Sequence, residues 1–181
     1  YKTGRPPRTA IRLNGGRELK RCLYAFAVKA LLGDDVAISA SLPATYDSSG
    51  YGATSITYTA IGNVEDMGEH GGNAQVTEFT PVDTGVVQKI KGSINYGSMN
   101  LMVGQVSSDA GQDIIDAAFA SKNRYSVKIA YPVRTGETTG EIHYLDVLVT
   151  KRVWQDGSGN TVRKLSATFE VCRAPVVVAG T

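Results

Sequence analysis

The sequence predicts a mainly β domain: an antiparallel β-sandwich or barrel-like sheet with one short α-helix, about residues 109–122, packed on it. Three observations carry this. Tyr125, Val127, Ile129 and Tyr131 alternate with Ser126, Lys128 and Ala130, the two-residue period of a half-buried strand. Leu165, Ala167, Phe169 and Val171 alternate just as cleanly with Lys164, Ser166, Thr168 and Glu170. Only one stretch has a helical period: Ile115, Ala118, Phe119 and Lys122 recur at spacings of three and four.

That helix starts at a cap. Ser107, Ser108 and Asp109 supply side-chain oxygens, and Asp109 with Gln112 reads as a capping box, each side chain satisfying a backbone amide of the first turn. Asn123 is the expected left-handed stop. In chain order, Val36, Ile38 and Ala40 mark a first strand, and 43–52 is a turn-rich loop. Ile56, Tyr58 and Ala60 mark a second strand ending at Gly62. The Gly-rich acidic segment 62–74 has no period and reads as a long surface loop. Val76, Glu78 and Phe79 form a short extended piece ended by Pro81. Residues 86–91 and 93–106 are extended, with Gly92 and Gly97 at bulges or bends. Residues 135–140 and 156–160 are turns flanking a long strand, Ile142 to Trp154, with Tyr144, Asp146, Leu148, Thr150 and Arg152 on one parity.

A chain of 181 residues with 42% apolar content buries one full core. No apolar run approaches the roughly 20 residues needed to span a bilayer as a helix. Cys22 and Cys172 are far apart and read as reduced and unpaired. The charge is split. Residues 1–30 hold eight basic residues against Glu18, net +7, and the remaining 151 hold 11 basic and 16 acidic residues, net −5. The domain organisation is therefore a basic extension, 1–30, and a β domain, 31–181. Three readings of the extension stand: a solvated tail, a phosphate-binding arm, or a segment that is not native, with the natural start near Val28. The run Leu23–Leu32 faintly resembles a secretion signal, but Lys29 interrupts it and no small-x-small cleavage site follows.

Catalytic motifs are missing from the sequence. There is no G-x-S-x-G elbow, no P-loop, no G-x-G-x-x-G and no C-x-x-C, and only His70 and His143 are available as imidazoles. His70 lies beside Glu65, Asp66 and Glu69, but a Gly-rich loop does not hold ligands in converging geometry, so no metal and no cofactor is expected. His143, between Ile142 and Tyr144, reads as a structural or surface histidine. The sequence gives no support for an enzyme.

From about Leu31 to its end the chain resembles the major tail tube protein of long, non-contractile-tailed bacteriophages. The matching pieces are GDDVAISASLPATYDSSGY with TYTAIGNVEDMGEHG, then the strand–strand–helix–strand run from Thr84 to Pro132, and above all Ser108-Asp109-Ala110-Gly111 at the helix start. Residues 1–30 depart from the family pattern. The resemblance implies a virion structural protein, assembled in the host cytoplasm, whose copies form six-subunit rings that stack into a hollow tube. It implies a tape-measure protein inside the tube, tail-tip and terminator proteins at its ends, and genomic DNA passing through without sequence-specific binding or a membrane. On this reading Glu65, Asp66, Met67, Glu69 and His70 are ring-to-ring contact residues. Glu141, Asp146 and Glu170 are candidate carboxylates facing an acidic lumen. The alternatives are a tail terminator or secretion-tube-like ring protein and, from another class, a nucleic-acid-binding module using the basic arm.

Overall fold

The computed structural model describes residues 33–134, 136–159 and 161–181, all within the unit Leu31–Thr181. The readings of residues 1–30, Cys22 among them, lie outside the described residues. The expected long strand is present as Ile142–Gln155 and organises the rest. Calling the strands in chain order β1 (Asp35–Ser39), β2 (Thr59–Ala60), β3 (Val64–Asp66), β4 (Asn73–Phe79), β5 (Gln88–Asn95), β6 (Ser98–Gly104), β7 (Tyr125–Ala130), β8 (Ile142–Gln155), β9 (Lys164–Val171) and β10 (Val176–Val178), the main sheet runs β2-β1-β7-β8-β9-β6-β3. β10 extends the β9 side of β8, and every pairing is antiparallel. β4 and β5 form a separate two-stranded hairpin.

The two edge strands of the main sheet, β2 and β3, are separated by only Ile61, Gly62 and Asn63. So short a link forces the two edges together, and the sheet curls into an open barrel around one apolar core. Ile61 N–H donates to Val36 O at 2.8 Å, and Gly104 N–H donates to Asn63 O at 2.8 Å, so the link bonds to the sheet on both sides of the seam. The inner parity follows the expected alternation: Val127, Ile129, Leu145, Val147, Leu165, Ala167 and Phe169 are buried in one cluster with Val36, Ile38, Met99 and Leu101.

The helix α2, Ala110–Ala120, closes the seam. Asp109 Oδ1 accepts from Gln112 N–H at 2.9 Å, the cap that was expected, while Oδ2 reaches Gly62 N–H at 2.9 Å. The second half of the expected box is not made. Gln112, buried, instead accepts from Val106 N–H at 3.1 Å and donates to Gly104 O at 3.0 Å and Gly62 O at 3.3 Å. Seating a helix this close requires glycine at Gly111, where a Cβ would lie 2.3 Å from Ala60 O. The same approach rotates the buried stripe to Gly111, Ile115 and Ala118, so Phe119 is exposed and Lys122 lies beyond the helix. The helix ends at Ser121 in extended conformation, and Asn123 is not left-handed, contrary to expectation.

Four further expectations change. The turn-rich loop 43–52 contains a one-turn helix, α1 (Ser48–Tyr51), capped by Asp47 Oδ1 on Gly50 N–H at 2.7 Å. Its Tyr51 stacks on Tyr144 with ring centroids 5.2 Å apart, covering the outer face of the sheet there. Of the second strand only Thr59–Ala60 pairs, because Ile56 is buried in a turn closed by Ala53 O. The segment 62–74 is not one loop, since Val64–Asp66 pairs with β6 and 73–74 open β4. The single parity of β8 breaks at Thr150, where a bulge puts Arg152 and Trp154 on the inner parity opposite Ala167 and Leu165. Arg152 then grips Asp116 of α2 through two bonds of 2.6 and 2.7 Å, with its guanidinium 4.4 Å from the Trp154 ring centre.

Replacing Gln112 by Leu keeps the volume but leaves Val106 N–H, Gly62 O and Gly104 O without their side-chain partner at a part-buried seam. Unfolding in urea is expected to show a loss of about 3 kcal/mol, and thermal melting a drop of roughly 6–12 °C. A loss under about 1 kcal/mol would mean that this node does not hold the seam. Gly111→Ala is expected to cost about 1–3 kcal/mol by pushing α2 off the seam.

Candidate functional site

The β4–β5 hairpin stands apart from the core. Every residue of β5 is exposed, and of β4 only Ala74 is partly covered. Seven or eight residues at ~3.4 Å each make a finger about 25 Å long. Its cross-strand pairs divide it into two faces. Thr77 opposite Ile90 and Phe79 opposite Gln88 form one, while Glu78 opposite Lys89 and Val76 opposite Lys91 form the other. The second face carries the Glu78–Lys89 ion pair at 3.2 Å. The first presents Phe79 and Ile90, both 57% exposed. At the tip, Val82 and Val86 are exposed too, and Gly85 N–H closes the turn on Pro81 O at 2.9 Å. The expected irregularity at Gly92 is real, since the pairing slips between Ala74–Ile94 and Val76–Lys91.

A lone two-stranded hairpin is marginal in water, and a contiguous apolar patch on a surface marks a contact site. Sequence reasoning saw two ordinary extended pieces here. The signal was available in outline, because Val76, Phe79, Val86, Val87 and Ile90 cluster within 15 residues. Nothing local says that no sheet covers them.

The residues expected to form a ring-to-ring contact flank the hairpin's root. Glu65 and Asp66 are exposed on β3, where Glu65 pairs with Lys164 at 2.6 Å and Asp66 Oδ1 holds Gly68 N–H at 2.8 Å. Met67 packs against the core, and Glu69 is exposed. His70 bonds His143 across the root at 2.8 Å. Glu69, His70, Gly72, Asn95 and Tyr96 bound a cleft of about 480 Å³ between the two roots of the finger. A second, largely apolar groove of about 450 Å³ opens beside the seam, lined by Asn63, Val64, Gly104, Val162 and Lys164. Among the described residues no three His, Cys, Asp or Glu side chains converge as metal ligands.

The three candidate lumen carboxylates part company. Glu170 is exposed on β9, and Glu141 accepts from His143 Nε2 at 2.7 Å. Asp146 offers no carboxylate to any outer surface, because it is buried beneath Arg124 at 2.7 Å and Arg173 at 3.2 Å. Asp146 shares a face with Leu148 and Glu170, but the chain around Arg124 and Arg173 covers that end. Burial raises the Asp146 pKa, with Arg124 and then Arg173 pulling it back.

No protein-family model matches the chain, and no curated protein matches it. Solved structures do. A chain of the anti-feeding prophage baseplate is similar at TM-score 0.61 and 12% identity, covering 81% of this chain and 92% of that one. The sheath/tube terminator of an extracellular contractile injection system is similar at TM-score 0.57 and 12% identity, covering 83% and 96%. The SPP1 tail tube is similar at TM-score 0.54 and 15% identity, covering 81% and 77%. At these identities the likeness shows a common fold.

Arg124→Ala leaves the buried Asp146 charge with Arg173 alone. The expected cost at pH 7 is on the order of 2 kcal/mol, less than for a fully enclosed pair because the lost guanidinium is partly in water. The variant's carboxyl takes up its proton more readily still, so the penalty should shrink as the pH falls toward 4. Paired urea titrations at both pH values measure it; an unchanged penalty would remove the charge from the explanation.

Proposed function

We propose that this chain is a structural tail subunit of a phage or phage-derived particle, joining copies of itself into six-subunit rings that stack as a hollow tube. The observation that carries this reading is the hairpin, whose apolar face has no cover within the subunit, on a fold shared with solved tail-tube and tube-terminator chains. On this reading the Phe79–Ile90 face of one copy seats on the apolar groove at Val64 and Val162 of the next, two different surfaces of one molecule, which makes the contact heterologous. Head-to-tail contacts of this kind make rings or continuing stacks.

The hairpin, together with the flanking stretch from Glu65 to His70, forms the contact between neighbouring copies. Tape-measure, tail-tip and terminator proteins are the further partners, the assembled product belongs to the virion, and the role is not enzymatic. The net charge of −5 outside residues 1–30 supports a lumen that repels the DNA backbone, letting genomic DNA slide through unbound. Glu170 and Glu141 are the candidate lumen carboxylates. A tube terminator is the second reading, favoured by the likeness to the injection-system terminator chain.

Negative-stain microscopy of the purified chain at raised concentration tests this. Hollow tubes or stacked six-fold rings are expected, and isolated rings that never stack would favour the terminator. Phe79→Ser with Ile90→Ser changes only exposed positions, so melting should stay within about 0.5 kcal/mol of the parent while assembly is lost. Val162→Glu should act in the same way from the other side of the contact. Unimpaired tubes from the doubly substituted hairpin would overturn the assignment of this face. Deleting residues 65–71 is a poorer test, since it removes half of the β3–β6 pairing and Met67 from the core.

A further inference from the structure

The only two histidines of the chain, 73 residues apart, meet at the root of the hairpin. His70 Nε2 lies 2.8 Å from His143 Nδ1, and His143 Nε2 lies 2.7 Å from Glu141 Oε1. The Tyr131 ring packs edge-on to His143 with centroids 5.0 Å apart. The carboxylate selects the tautomer. A His143 that donates Nε2–H to Glu141 presents a bare Nδ1, and His70 must donate its Nε2–H to it. One added proton is tolerated, because His143 then donates from both nitrogens and His70 shifts its own hydrogen to Nδ1. A second proton leaves two N–H groups facing each other at bonding distance, and the bond cannot survive.

We propose that the His70–His143 pair is an acid-operated latch, holding the root of the hairpin to β8 when at least one ring is neutral and releasing it when both are charged. His70 precedes β4 by three residues, and the other root turns at Gly97, whose φ of 67° and bond from its N–H to Asn95 Oδ1 form a compact bend. Releasing His70 therefore frees the finger's entry strand while its exit stays pinned to β6. Resting on the proposed assembly, the latch would set how the Phe79–Ile90 face meets a second copy.

The groups around the pair fix its direction. Glu141, on the approach to β8, accepts from His143, and the exposed Glu69 precedes His70 in the chain. Tyr131 after β7 is neutral in this range, with Asp34 acting on it from ahead of β1, and β10 places only Val177 opposite His143. Burial, and then the second imidazole, hold the His70 pKa below its ordinary 6.5. A histidine depressed in the folded state contributes stability that is full above its ordinary value and is lost as the pH falls beneath it.

Amide hydrogen exchange of the full chain tests the latch, corrected for intrinsic pH dependence and referenced to β9. Protection of residues 67–75 should fall by about tenfold per pH unit once the second proton begins to bind, while β9 stays protected. His70→Gln retains a donor that does not titrate, so its root should stay protected at every pH. His70→Ala should be open throughout. A parent whose root protection is flat with pH, or a Gln variant that follows the parent, would overturn the latch. Should the root open on cue while tube formation shows no pH response, the latch stands and its coupling to assembly is refuted. Should no tubes form at any pH, the exchange profile alone decides the latch.

Discussion

The fold depends on closing a seam that backbone pairing alone leaves open. A curled sheet whose first and last strands are too short to pair has a gap where carbonyls and amides meet no partner. Here Asp109 and Gln112 fill it. One carboxylate caps α2 and holds Gly62 N–H, and one amide satisfies Val106, Gly62 and Gly104 together. A buried amide that uses both its donor hydrogens and its oxygen is worth keeping, whereas a half-satisfied one would be worse than leucine. The node also explains two glycines. Gly62 and Gly111 each lack a Cβ where one would strike Asp109 Oδ2 or Ala60 O.

Because α2 is committed to the seam, its C-terminal half can only cover the inner parity at one end of β8. The bulge at Thr150 turns Arg152 and Trp154 to meet it. The opposite end of the same parity is His143 with Tyr131. The core thus has an aromatic at each end, one locked by an arginine–aspartate bridge and one by an imidazole pair. Only the second is built of groups that can both donate and accept at the contact, so its bonding pattern depends on where its protons sit.

Much of this was legible. Alternation in β7 and β9 and the cap at Asp109 are local properties, set by side-chain periodicity and by the first helical turn, and they appear where the sequence puts them. What was hidden depends on distance in the chain. Gln112 looked like half of a capping box because its true partners lie up to 50 residues away. Phe119 fits a helical stripe perfectly well, but the close approach of Gly111 decides which stripe faces in. Asp146 has the right parity for a surface carboxylate, and only the placement of Arg124 and Arg173 shows it covered. The exposed hairpin was invisible for the same reason, since an apolar strand does not announce whether a sheet lies over it.

Backbone edges lead to the hairpin by a separate route. In the main sheet the edge strands β2 and β3 have two and three residues, and the link between them occupies the space beyond. Such short edges are poor templates for pairing with another chain. β4 and β5 have seven and eight residues and form a two-stranded sheet by themselves, so each leaves a full row of amides and carbonyls beside an apolar face. A second copy seated there gains side-chain burial and strand pairing at once, and ordering a marginal hairpin costs least when both arrive together. Two bodies meeting without the hairpin would obtain neither. In the proposed assembly the hairpin 73–95 is therefore the segment that seeks a second copy, and the body supplies the groove that receives it.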